Sequence, residues 1–133
     1  MRLTHNVPVG FIPTTKAEEA KAFYRDVLGL TFVADDEFAL VFLVGPEPEG
    51  MLRVVRMPAY TPAQYTIYGW EVDDIHAKVA ELKTAGVEFV RFSFFDQDEH
   101  GVWQAPGGSS VAWFKDPDGN TLSISHHPDH SGE

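Results

Sequence analysis

The chain repeats itself. Moving the sequence along by 57 residues lays Gly29 on Gly86, Leu30 on Val87, Phe32 on Phe89 and Val33 on Val90, and Lys21 falls on Lys78. A self-similarity of this length marks a repeated supersecondary unit, so whatever the first half builds the second half builds again. In the first copy Val7 to Ile12, closed by Pro13, reads as a strand. Thr15 with Glu18 reads as a capping box at a helix start. Ala17, Ala20, Phe23, Tyr24, Val27 and Leu28 form one apolar stripe, and Gly29 is placed to stop the helix in the left-handed conformation. Strands are expected at Leu30–Ala34, Phe38–Val44 and Met51–Arg56.

Two prolines within residues 57–64 discourage both helix and central strand, so this stretch reads as a connector. The order then returns. Tyr65–Val72 is a strand, and Asp73 or Asp74 caps a helix with Ile75, Val79 and Leu82 inward and Gly86 at its end. Further strands are expected at Val87–Phe92, near Val102–Gln104, at Ser110–Lys115 and at Thr121–Ser125. The expected organisation is one domain over 1–133, with module one at about 5–56, module two at about 65–125 and a frayed tail over 126–133.

Composition removes several functions. There is no Cys, so thiolate metal sites and thiol nucleophiles are excluded. Twenty acidic against ten basic residues give a net charge of −10, which repels a phosphate backbone, so no nucleic-acid partner is expected. No apolar run reaches the length of a membrane span, and Met1-Arg-Leu-Thr-His-Asn lacks the apolar core of a signal peptide, so a cytoplasmic, membrane-free protein is expected.

Three segments carry a resemblance: Ala22-Phe-Tyr-Arg-Asp-Val-Leu-Gly-Leu30; Trp70-Glu-Val-Asp-Asp-Ile75 with Leu82-Lys-Thr-Ala-Gly-Val-Glu-Phe89; and Phe114-Lys-Asp-Pro-Asp-Gly-Asn120. In this order they resemble the vicinal oxygen chelate superfamily of glyoxalases, bleomycin-resistance proteins and extradiol dioxygenases. The resemblance implies an α+β fold in which two βαβββ modules form one cupped, barrel-like mixed sheet with helices on the convex face. The Asp116-Pro-Asp-Gly-Asn120 run is read as a tight turn that marks the fold rather than the chemistry.

Metal-dependent members of that superfamily carry His, Gln or Glu on the inner strands. Carried over residue by residue, those positions fall on Val9, Arg53, Ile67 and Ser123. Val and Ile have no lone pair to offer and Arg brings positive charge, so no metal and no cofactor is expected. Alternation supports the inward placement. Leu122 and Ile124 share one face while Thr121, Ser123 and Ser125 share the other, and Arg53 and Val55 lie opposite Leu52 and Val54.

Other candidates surround this set. Phe42, Trp70, Trp103 and Trp113 could build a stacking wall for a flat or cationic ligand. The Asp96-Gln-Asp-Glu-His100 loop offers Glu99 and Trp103 at a pocket rim, and Glu99 with His100 as a possible acid–base pair. His126, His127 and His130 form a tail cluster, His5 precedes the first strand, and His76 reads as a solvated helix residue. The expected ligand-binding set is Val9, Phe42, Arg53, Val55, Ile67, Glu99, Trp103 and Ser123. Two functions stay open. The first is a metal-independent module that holds a small organic molecule, as a homodimer. The second is a glyoxalase-like lyase or isomerase, or a dioxygenase, working through Glu99 and His100 or an unconventional metal site.

Overall fold

The computed structural model describes residues 2–128, which divide into two compact units between Thr61 and Pro62. Among the described residues no helix is long and apolar enough to cross a membrane. The expected α+β class and both βαβββ modules are present, each with its own mixed sheet.

The first unit runs β1 (Val9–Thr14), α1 (Ala17–Ala22), β2 (Thr31–Asp35), β3 (Ala39–Val44) and β4 (Gly50–Arg56). Its sheet order is β1-β4-β3-β2, with β1 parallel to β4 and the other pairs antiparallel. Pro13 does not end β1 but lies inside it. β1 is an edge strand, so a residue with no N–H to donate is tolerated there. The expected capping box does not form as drawn. Lys16 occupies the cap position without a side-chain cap, and the Thr14 hydroxyl accepts the Lys16 N–H at 3.0 Å. Beyond Ala22 the helix widens into a π turn over Phe23–Val27, where the Leu28 N–H donates to Phe23 O. That turn leaves Ala20 and Tyr24 fully buried, with Tyr24 against Phe42. Gly29 then ends it at φ +78°.

The second unit runs β5 (Tyr68–Glu71), α2 (Ile75–Thr84), β6 (Phe89–Val90), β7 (Trp103–Gln104), β8 (Ser110–Lys115) and β9 (Thr121–His126). The path is β5-β9-β8-β6, β5 is parallel to β9, and β7 pairs with β8. Of the two candidate caps it is Asp74 that works, accepting the Ala77 N–H at 3.1 Å. Here the edge strand departs from the first copy. The chain pairs with β8 at Phe89 and Val90, leaves at Arg91, and rejoins β8 at Trp103. The expected strand over Val87–Phe92 is therefore short, because a loop interrupts it.

The repeat is structural down to its rings. Phe32 meets Phe42 edge-on at 5.6 Å and 66°, and Phe89 meets Phe114 at 5.6 Å and 66°. Each sheet buries one face against its helix: Ile12, Leu52 and Val54 in the first, Ala112, Phe114, Leu122 and Ile124 in the second. Burial of such side chains at about 1.5–3 kcal/mol each supplies most of the stabilisation.

The Asp116–Asn120 turn is structural. One Asp116 carboxylate oxygen accepts the N–H groups of Asp118 and Asn120, and the other accepts the Asn120 side-chain amide at 2.8 Å. The expected tail is ordered further than its composition suggests. His126 closes β9 and donates through Nδ1 to Val72 O, and Glu71 accepts both the backbone N–H and the ring of His127. His130 lies outside the described residues.

Candidate functional site

The open face of the first sheet carries Val9, Arg53 and Val55. Parallel pairing sets Phe11 beside Arg53 and Pro13 beside Val55, and Val9 is two residues ahead of Phe11. Antiparallel pairing brings Val41 to the other side of Arg53. The face is apolar around a single cation. Arg53 Nη2 donates to Asp36 Oδ2 at 2.6 Å, and Asp36 Oδ1 is fixed by the N–H groups of Ala39 and Phe38. Arg53 first, and the Ala39 N–H second, hold the Asp36 carboxyl below its ordinary range. The neighbouring Asp35 is held at about 2, chiefly by both Nη groups of Arg56 and then by the Glu37 N–H.

Phe42 does not join this face. It pairs with Leu52, has opposite parity to Arg53, and is fully buried between Tyr24 and Phe32. Its place is the helix-covered core, which corrects the expectation of a ligand contact. Trp70 is likewise on the helix side of its sheet. It pairs with Ile124 and stacks on Phe114 at 6.4 Å.

The face of the second sheet turned away from α2 carries Ile67, Trp103 and Ser123, and Ser123 is buried there. Ser123 lies between Gly69 on β5 and Trp113 on β8. Ile67 is two residues before Gly69 and donates its N–H to Thr121 O. Trp103 pairs with Val111, two residues from Trp113. Trp113, which pairs with Ser123, belongs to this face as well. Phe95 stacks on it at 4.9 Å and 4°, Phe92 meets it edge-on at 5.3 Å, and Phe95 reaches Trp103 at 4.4 Å. Phe94 completes the shelf and is 75% exposed.

The shelf is held by its loop. Gln97 accepts the Phe92 N–H at 2.8 Å and donates to Val90 O and Gly101 O. Arg91 donates to Gln97 O and Asp98 O. Asp98 accepts the N–H groups of His100 and Val102 and lies 2.7 Å from His76 Nε2. Partial burial pushes the Asp98 carboxyl up, but His76 and the two N–H groups outweigh it and hold it at about 2. His76 is solvated, as expected, with its side chain 47% exposed, and it also tethers α2 to the loop through Asp98. Asp98, and not the expected Glu99, makes the bonds that hold this loop. The usable signal was an Asp two residues before His100, the spacing at which a side chain accepts a backbone N–H.

Glu99 and His100 are adjacent at 3.7 Å, with side chains 86% and 52% exposed. A general acid and base work at hydrogen-bond reach in a site that excludes water, and this pair has neither property.

The residues present do not fit a divalent metal. Val9 and Ile67 supply no donor, Arg53 is cationic and tied to Asp36, and Ser123 is a neutral hydroxyl. Among the described residues no group of three or more His, Asp or Glu side chains is placed to hold a metal, and no buried side-chain nitrogen or oxygen lacks a partner.

A family model described as Glyoxalase/Bleomycin resistance protein/Dioxygenase superfamily matches residues 2–124. Among solved structures, a member of that superfamily from Sphaerobacter thermophilus is 22% identical with a TM-score of 0.70, over 94% of this chain and 99% of that one. A lactoylglutathione lyase from Agrobacterium tumefaciens is 21% identical with a TM-score of 0.65, over 97% and 98%. TnmS3, an antibiotic binding protein from a Streptomyces species, is 26% identical with a TM-score of 0.65, over 95% and 98%. A search of curated proteins finds no match. With nearly its whole length matched, the chain belongs to the glyoxalase/bleomycin resistance protein/dioxygenase superfamily.

Proposed function

We propose that the protein is a metal-independent small-molecule binding protein that takes an organic ligand on the sheet faces turned away from its helices. The observation that carries this reading is the donor-poor lining. Where a metal-dependent relative needs electron-pair donors, this chain has Val9, Ile67, Ser123 and an arginine already paired with Asp36. The pinned aromatic shelf around Trp113 supports it, because stacked rings bury a flat ligand without chemistry. So does the likeness to TnmS3, which is described as binding an antibiotic. Val9, Arg53, Val55, Ile67, Trp103 and Ser123 form the proposed binding set, and the homodimer and cytoplasmic setting belong to the same reading. The enzymatic alternative would rest on Glu99 and His100, whose exposure favours binding over turnover.

The test is thermal stabilisation by a panel of planar aromatic compounds, with and without EDTA. Stabilisation that the chelator leaves unchanged is expected. A requirement for a stoichiometric divalent metal, or turnover of hemithioacetal or catechol substrates, would overturn the reading.

A further inference from the structure

We propose that Arg53, held by Asp36, is a specificity-determining donor that selects an uncharged oxygen acceptor, such as an amide or ring carbonyl, over a carboxylate. The inference deepens the binding reading above and rests on it. Two arginines on β4 can be compared directly. Arg56 gives both of its Nη groups to Asp35, at 2.7 Å each. Arg53 gives Nη2 alone to Asp36, and among the described residues no other acceptor hydrogen-bonds it. A guanidinium has five N–H donors in a fixed fork, so Nε and Nη1 remain for a ligand.

The fork is aimed and partly dried. Its side chain is 25% exposed and stands among Phe11, Val41 and Val55 on the open face. Asp36 cannot drift, because the hairpin N–H groups of Phe38 and Ala39 hold its other oxygen. The position of Arg53 is therefore set by backbone rather than by two flexible side chains.

Charge decides what the fork accepts. Asp36 cancels the positive charge of Arg53, and a second carboxylate on the same guanidinium would face Asp36 across a few ångströms. The chain as a whole adds repulsion, with a net charge of −10. A neutral carbonyl accepts the free N–H groups without that repulsion and loses less hydration on entry.

The probes are naphthamide and naphthoate, equal in shape and different in charge. Each is titrated into the full chain while NMR follows the arginine Nε–H signals, with the Arg53 signal assigned by its loss in Arg53→Lys. Naphthamide is expected to move the Arg53 signal and to bind roughly tenfold tighter than naphthoate, because solvent partly screens the like-charge contact at this partly exposed pair. Asp36→Asn, which keeps the hairpin acceptor, is expected to erase or reverse that preference. Arg53→Lys, which keeps the charge without the spare N–H groups of the fork, should weaken naphthamide binding. Amide spectra of both variants verify the fold. A wild-type preference for naphthoate, an unchanged preference in Asp36→Asn, or binding that leaves the Arg53 signal still would overturn the inference alone. No binding of either probe to any form would overturn the binding reading, and the inference with it.

Discussion

Gly69 shows how closely the face of the second sheet turned away from α2 is cut. A Cβ built there would lie 2.8 Å from both the carbonyl and the hydroxyl oxygen of Ser123. The carbonyl cannot swing aside, so Gly69→Ala has to push β5 away from β9. We expect a loss of about 1–3 kcal/mol in thermal or urea unfolding; an unchanged midpoint would mean the two strands are not fixed at this spacing. Nothing in the sequence around Gly69 announces the contact, since a lone glycine in a strand suggests close approach without naming the neighbour. Arg53 and Ser123 were readable because each is the polar member of an alternating strand. Phe42 and Trp113 were not, because their neighbours Val41, Leu43, Ala112 and Phe114 are all apolar and period-two patterning then carries no direction. Pairing partners settle them: Leu52 for Phe42, Ser123 for Trp113.

Among the elements, the excursion between β6 and β7 departs most from its expected form. Its sequence points to Glu99, Trp103 and His100, yet it is Gln97 that bonds three backbone groups, at Val90, Phe92 and Gly101, and so sets where Phe92, Phe94 and Phe95 stand. Gln97→Ala would leave those groups without their partner. The expected outcome is a loss of about 1–3 kcal/mol of stability together with a weakened near-UV circular dichroism signal from Trp103 and Trp113. Full stability with an intact aromatic signal would show that the shelf stands without its pin. Side chain to backbone bonds of this kind leave no periodic trace, which is why the helices and the long strands were foreseen and this loop was not. The π turn after α1 escaped for a similar reason, as apolar spacing at three and four residues fits an α-helix equally well.

For the molecule as a whole, acid should be more damaging than base. Asp35 and Asp98 are held at about 2 in the folded chain against an ordinary value of 3.8, and the Asp36 and Glu71 carboxyls are lowered as well. A depressed carboxylate contributes stability that is complete above its unfolded pKa and disappears as the pH falls through the folded one. The melting temperature is therefore expected to be flat from neutrality to about pH 5 and to fall between about pH 4 and 2. Asp98→Asn should shallow that acid limb, and an equally steep limb in the variant would remove Asp98 from its cause. The effect of each exposed pair is modest and weakens with salt. The two-module plan was readable from the 57-residue repeat and its glycines, because a repeated unit constrains every element at once. In each module the first strand pairs with the last. During synthesis β1 waits for β4 to leave the ribosome, and β5 waits for β9. The first sheet can close while the second is still being translated, and a message cut short before Thr121 leaves β5 with no neighbour to receive its open edge.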